Sequence, residues 1–365
     1  MKPKFTKIAN DLPASVPFVG PESQERQNSF IFGARLGANE SVFGPSNLVV
    51  DAIKTHAEAV WQYGDPESFE LIQKLSEFYD LPKDNFIIGE GIDGLLGNLV
   101  RLFVEPGDNV VSSLGAYPTF KYHVDGFGGN IFLVPYNKYY EDLDALLIAV
   151  KRSKAKIVYL SNPDNPMGTC HSKDDVQDFI DNIPEETILC LDEAYSDFVN
   201  KSDLVSINVE RENIIRFRTF SKAYGLAGLR VGYGIGNNKL VKAFNKVRNH
   251  FGVNKLGQIA AKIALEDQEH LKNVLKKVEQ SKNDIAAIFK KFGLTSLASS
   301  TNFVPINSGG DGKFATKLMT GLIQEKIFVR MPSVSPLNSF IRITAGTNDD
   351  LIVLEEAMNK IIKKI

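Results

Sequence analysis

Ile188-Leu189-Cys190-Leu191-Asp192-Glu193-Ala194-Tyr195 is a four-residue apolar run that ends on a carboxylate. Its length and lack of alternation suit a strand buried on both faces of a parallel sheet. Buried-looking strands stand on either side, Ile157 to Leu160 and Ile214 to Phe217. Further upstream, Asn85 to Ile88, Asn109 to Ser112 and Ile131 to Val134 read as strands. Helical patterns lie between or before them, at Asn47 to His56, Ser68 to Tyr79, Leu95 to Phe103 and Asp142 to Val150. The alternation predicts an α/β fold with a mostly parallel central sheet. In such sheets ligands collect beyond the carboxyl ends of the strands, so the polar residues after each run are where chemistry is to be sought.

Outside this region the texture changes. Residues 1–44 mix Pro, Gly and Ser with little periodicity and read as an arm or part of a small domain. Residues 45–245 form the large domain. From Leu240 a long helical pattern runs to Phe289, and Phe303 to Ile306, Phe328 to Met331 and Phe340 to Thr344 follow as strands. This places a smaller α+β domain over residues 246–365. A chain of 365 residues exceeds what one compact core usually holds, which agrees with two domains. The net charge of -2 gives no electrostatic case for nucleic acid or membrane binding. No apolar run approaches the roughly 20 residues of a membrane span, and a cytoplasmic location is the default expectation. Cys170 and Cys190 form no CxxC pair and read as reduced thiols. The five histidines show no metal-ligand spacing, so no metal is expected.

Each strand end carries a motif. After Asn85 to Ile88 comes Gly89-Glu90-Gly91-Ile92-Asp93-Gly94, a GxGxxG pattern between strand and helix. A dinucleotide would also need an acidic residue at the end of the next strand, but that strand ends Val110-Val111-Ser112-Ser113-Leu114. What survives is a glycine-preceded helix N-terminus, a site for an anion such as a phosphate. Tyr117-Pro118-Thr119-Phe120 brings rings near it. Ser161-Asn162-Pro163-Asp164-Asn165-Pro166-Met167-Gly168 presents Asn side chains at a strand end. Asp192 ends an apolar strand, where a carboxylate is costly unless a cation or several donors meet it; a protonated ring nitrogen is one such partner. Lys222 sits among small and apolar residues in Arg218-Thr219-Phe220-Ser221-Lys222-Ala223-Tyr224-Gly225, a setting that lowers a lysine pKa and leaves a nucleophilic amine.

Asn165-Pro166, Asp192-x-x-Tyr195 and Ser221-Lys222 with Arg230 occur in the order and spacing of fold-type I pyridoxal-phosphate aminotransferases. The resemblance extends from about Gly37 to Thr347 and is nearest to the histidinol-phosphate aminotransferases. Ala38-Asn39-Glu40, Tyr63-Gly64-Asp65-Pro66, Gly91-Ile92-Asp93, Tyr117-Pro118-Thr119 and Phe340-Ile341-Arg342-Ile343-Thr344 carry it further. It implies that Lys222 holds pyridoxal 5'-phosphate as a Schiff base and then shuttles a proton, while Asp192 keeps the pyridine nitrogen protonated. It further implies that Tyr195 and Asn165 meet the phenolic oxygen and that Tyr117 stacks on the ring. The phosphate would meet Ile92, Asp93, Ser221 and Arg230, at the turn that Gly91 begins. Arg342, Arg330 and Asn39 would serve the substrate, and Tyr63 would reach the neighbouring subunit's phosphate in a homodimer with shared active sites.

The implied reaction moves an amino group from an L-amino acid or amino-alcohol phosphate, such as histidinol phosphate, to 2-oxoglutarate. Threonine-phosphate decarboxylases share the fold and most of these motifs, so decarboxylation is the alternative. A pyridoxal-phosphate-binding regulatory module would bring a DNA-binding segment or a damaged catalytic set, and neither is visible. Three departures from the family pattern fall near the site: Ser41-Val42 where Asn-Pro is usual, Met167 for Thr, and Gly94 for an acidic residue. Phe18 stands where histidinol-phosphate enzymes tend to carry a tyrosine.

Overall fold

Every residue of Ile157–Ser161 and Ile188–Asp192 is buried, as in a central parallel strand covered on both faces. The computed structural model describes residues 3–14 and 19–363; Phe18 lies outside the described residues. In chain order the strands are β1 (Ala34–Arg35), β2 (Phe86–Gly89), β3 (Asn109–Ser113), β4 (Asn130–Val134), β5 (Ile157–Ser161) and β6 (Ile188–Asp192). Then follow β7 (Ile214–Thr219), β8 (Gly232–Gly236), β9 (Thr295–Ser296), β10 (Phe303–Asn307), β11 (Ile327–Phe328) and β12 (Phe340–Thr344).

Among the described residues the largest sheet has the order β2-β8-β7-β6-β5-β3-β4. β3 to β7 pair in parallel with their neighbours in that run, and β8 lies antiparallel between β2 and β7. The apolar runs therefore lie within a residue or so of the strands they form, whereas β8 was not anticipated. Its sequence, Gly232-Tyr233-Gly234-Ile235-Gly236, reads as a loop because glycine is a poor strand former. Space explains the glycines. A Cβ at Gly232 would come within 2.9 Å of the Gly91 and Ile92 backbone, and one at Gly234 within 2.8 Å of Ile87. Glycine there lets the start of the helix Gly91–Phe103 press against the sheet.

The antiparallel sheet β12-β10-β9 and the parallel pair β1-β11 stand apart from the large sheet. The long helical pattern after Leu240 resolves into Asn238–Ala243, Lys255–Glu266 and Gln268–Lys291. One break has a local cause: Asp267 accepts a hydrogen bond from the His270 N–H at 3.1 Å and caps a new helix. That helix bridges two cores. Its start packs Leu271 with Phe220, Tyr233 and Ala264 beside the large sheet. Its end packs Ile285 and Phe289 with Ile306, Ile341 and Leu354.

Candidate active site

The carboxyl ends of β5, β6 and β7 place Ser161, Asp192 and Thr219 around one cavity of about 410 Å³. Ile92 and Asp93, at the start of the helix that follows β2, line it too, with Tyr117, Asn165, Tyr195, Ser221, Lys222 and Arg230. Motifs spread over more than a hundred residues thus meet because parallel strands deliver their ends to one edge.

Asp192 is buried. Its Oδ2 accepts from the Tyr159 hydroxyl at 2.7 Å and its Oδ1 from the Ala194 N–H at 3.0 Å. No cation pairs with it among the described residues, and burial pushes its carboxyl up to about 6 against these donors. Lys222 shows the complementary shift. Burial, with Arg342 nearby, pulls its amine down to about 8. Its Nζ donates to the Asn39 carbonyl at 3.1 Å and lies 5.8 Å from the centre of the Tyr195 ring. Asn39 also donates through Nδ2 to the Tyr195 hydroxyl at 2.7 Å, and burial raises that phenol to about 12. One buried Asn thereby positions both the lysine and the tyrosine.

The opposite end of the cavity is built for an anion. The helix Gly91–Phe103 has no side-chain cap at its N-terminus, so its first N–H groups lack the usual side-chain acceptor. Gly91 has φ +74°, and a Cβ there would run into the Arg230 guanidinium. Arg230 itself is left-handed, with φ 54°. Its Nη1 donates to the Ser221 hydroxyl at 3.3 Å, and its Nη2 lies 3.7 Å from Asp93. Tyr117 donates to the same Asp93 at 3.2 Å.

Arg342, at the centre of β12, stacks on the Phe303 ring at 5.0 Å from its centroid and hydrogen-bonds Asn165. Its buried Nε has no partner. Arg330 pairs with Arg342 across an antiparallel bridge, stacks on Phe328 and donates to the Val19 carbonyl at 2.9 Å. The strand expected over Phe328 to Met331 is thus a two-residue strand followed by this bridge. Tyr63 is elsewhere: it is 80% exposed and stacks on Phe251, ring centroids 5.0 Å apart.

Sequence reading missed the residues that hold these groups. Tyr159 looks like strand core, and only the register Ser161↔Asp192 reveals that its hydroxyl can reach back to Asp192. Glu141 accepts from the Ser161 N–H and the Ser113 hydroxyl, at 2.9 and 2.5 Å. Burial and the neighbouring Asp164 push its carboxyl well above the usual range. Glu193 is buried between Arg218 and Arg216, at 2.8 and 3.4 Å. Burial opposes its ionisation, but the two guanidinium groups outweigh that and hold it below the usual range. Glu193→Gln strands two buried cations and is expected to lower unfolding stability by about 3–5 kcal/mol. Urea unfolding measures this; a loss under about 1 kcal/mol would show that backbone carbonyls suffice.

This sheet order, with a lysine and a carboxylate facing one strand-end cavity, is the architecture of the aspartate aminotransferase fold. Residues 33–361 match the family model of class I and II aminotransferases. The chain belongs to that family and is an aminotransferase. It is 34% identical over 345 residues to histidinol-phosphate aminotransferase 2 of Carboxydothermus hydrogenoformans, covering 93% of this chain and 94% of the relative. It is 31% identical over 360 residues to histidinol-phosphate aminotransferase 1 of Bacillus cereus, covering 97% and 96%. Among solved structures, the histidinol-phosphate aminotransferase of Sinorhizobium meliloti, a complex with pyridoxal-5'-phosphate, superposes with a TM-score of 0.97 at 45% identity, covering 100% of this chain and 99% of that one. The Thermus thermophilus aspartate aminotransferase with maleate shares the fold at 18% identity, with a TM-score of 0.83 and coverage of 99% and 100%. No helix among the described residues is long and apolar enough to cross a membrane.

Proposed function

We propose that this aminotransferase uses pyridoxal 5'-phosphate to move the amino group of histidinol phosphate to 2-oxoglutarate, and that it works as a homodimer. The observation that carries the cofactor assignment is Asp192. It is a buried carboxylate that no cation pairs with among the described residues, facing the same cavity as an amine that burial keeps partly neutral. The uncapped helix start and the Gly91 cradle fit the phosphate equally well. The solved relative that carries this cofactor supports the same reading.

Bound pyridoxal phosphate supplies an electron-withdrawing ring that stabilises the charge left when an α-proton departs. The chain's own residues would do the rest. Lys222 binds the cofactor's carbonyl carbon and later carries the proton off the substrate α-carbon. Asp192 holds the proton on the ring nitrogen, and Tyr159 and the Ala194 N–H fix Asp192. Ser221, Arg230 and the N–H groups of Ile92 and Asp93 bind the phosphate. The Tyr117 ring covers one face, and Tyr195 and Asn165 meet the phenolic oxygen. Arg342, with Nε unpartnered, presents its fork to a substrate α-carboxylate, or to the corresponding polar group of an amino alcohol.

Arg330, beside Arg342, supports a substrate whose anion reaches beyond the place of an α-carboxylate, as the phosphate ester of histidinol phosphate does. The test compares kcat/KM for histidinol phosphate and an uncharged aromatic amino acid in wild type and Arg330→Ala. The variant is expected to lose the phosphate substrate by about 2 kcal/mol, roughly thirtyfold, while the neutral one barely changes. Equal losses, or a wild type that prefers the neutral substrate, would remove histidinol phosphate from consideration. Carbon dioxide release without keto-acid formation would point instead to a decarboxylase. The dimer is supported by a cluster of exposed aromatic residues, with Trp61 and Tyr63 both 80% exposed and Tyr63 stacked on Phe251.

A further inference from the structure

A second cavity, about 890 Å³, opens behind the catalytic one, and its walls include residues the proposed reaction does not use. The two cavities share two stretches of chain, the end of β7, where Arg218 and Thr219 line opposite cavities, and the segment 192–198. Asp192 and Tyr195 face the catalytic side, while Ser196, Asp197 and Phe198 face the other. The Phe198 N–H donates to the Tyr195 carbonyl at 3.0 Å, tying the two halves together. Arg218 also lines the second cavity and donates to Glu193, the residue after Asp192, at 2.8 Å.

Two polar groups inside make no hydrogen bond through their side chains among the described residues. Ser196 is 3% exposed, and its buried Oγ makes no hydrogen bond. The Asp197 carboxylate accepts no hydrogen bond among the described residues, and burial pushes it up to about 6 although Arg218 and Lys201, in the same lining, favour its ionised form. A desolvated hydroxyl and carboxylate cost free energy until a donor reaches them. Around them the wall mixes apolar and aromatic groups, Tyr79, Phe198, Tyr224 and Leu275, with Lys201, Arg218 and the Lys282–Glu279 pair. The mouth differs in sign: Lys272 and Lys276, one turn apart on Gln268–Lys291, are exposed and have no ion pair among the described residues.

A simple anion would meet Asp197 at the floor, and a simple cation would have to pass the lysines. A zwitterion with an apolar body satisfies both: ammonium on Asp197 and Ser196, carboxylate toward the lysines, body against the rings. We propose that this second cavity binds a free apolar α-amino acid, separately from the substrate site, and that its occupancy is felt at Asp192 through the shared segment 192–198. By linkage, an occupant that alters the catalytic site must itself bind differently when that site is filled.

The probe is 1-aminocyclopentane-1-carboxylate, which has the zwitterionic head and an apolar ring but no α-hydrogen to lose. Diffraction from holoenzyme crystals grown with it should show the probe in the second cavity with its ammonium at Asp197. Calorimetry in solution should detect binding that weakens by about tenfold or more in Asp197→Asn. Leu275→Trp, which fills the cavity, should abolish it while leaving kcat/KM without probe unchanged within about twofold, and it serves if Asp197→Asn folds poorly. Density only in the catalytic cavity, unchanged affinity in both variants, or binding at crystal concentration only would each overturn the proposal.

Discussion

Replacing Lys222 with alanine is expected to lower transamination by at least about 10⁴-fold, the upper range for loss of a positioned proton carrier. The size follows from the absence of a substitute. Among the lysines of the described chain, Lys222 alone lines the catalytic cavity, and its amine, pulled down to about 8, has a far larger neutral fraction near physiological pH than an ordinary lysine. The fold should tolerate the change. Among the described residues the Lys222 side chain makes one hydrogen bond, to the Asn39 carbonyl, and it lines the open cavity. The sign of its shift supports this. A lysine whose folded pKa lies below its unfolded value disfavours folding below about pH 8, and the penalty fades as pH rises toward about 10.5. Alanine removes that penalty, so the cofactor-free variant should unfold no more easily than wild type at pH 7. The measurements are steady-state turnover and, in wild type, borohydride reduction followed by peptide mapping. A label on another lysine, or turnover within tenfold of normal, would sink the assignment.

The parts of the fold that were legible in sequence are those where burial dictates composition. β5 and β6 are apolar because helices cover both faces, β7 is buried too but carries Arg216 and Arg218 for Glu193, and the ends of all three carry polar residues because the cavity lies there. β8 was illegible for a reason that is also physical: close approach of the Gly91 turn demands glycine, and glycine hides a strand. β1 and β11, two residues each, offer too little pattern to read.

The site divides in the same way. Lys222, Asp192, Tyr195, Tyr117, Asn165, Ser221 and Arg230 stand at strand ends or helix starts, where chemistry is expected, and the structure brings them into one cavity. Tyr159 and Glu193 could not be recognised, because a buried residue in or just after a strand finds its partner only across the sheet, Asp192 for Tyr159 and Arg216 and Arg218 for Glu193. Tyr63 is not brought to the cavity of its own chain, and the role proposed for it would need a second subunit.

Asp192→Asn should reduce turnover by about a hundredfold, equivalent to about 3 kcal/mol of barrier. Asparagine keeps the shape and can still accept from the Ala194 N–H, but it carries no charge to hold a proton on the ring nitrogen. A merely structural carboxylate would predict lost stability as well. The electrostatics predict the opposite. Burial raises Asp192 to about 6, so the folded cofactor-free protein binds more protons than the unfolded chain between about pH 4 and 6. Stability from this group therefore falls as pH rises through that window, and above it the ionised carboxylate costs the fold about 3 kcal/mol. Asparagine removes the cost. The cofactor-free variant should be at least as stable as wild type at pH 7, with the difference vanishing toward pH 4, even though the loaded enzyme is crippled. Urea unfolding of the cofactor-free proteins at the two pH values, set beside turnover at pH 7, separates the alternatives. A variant that is both destabilised at pH 7 and close to normal in turnover would show that Asp192 serves the fold and not the cofactor.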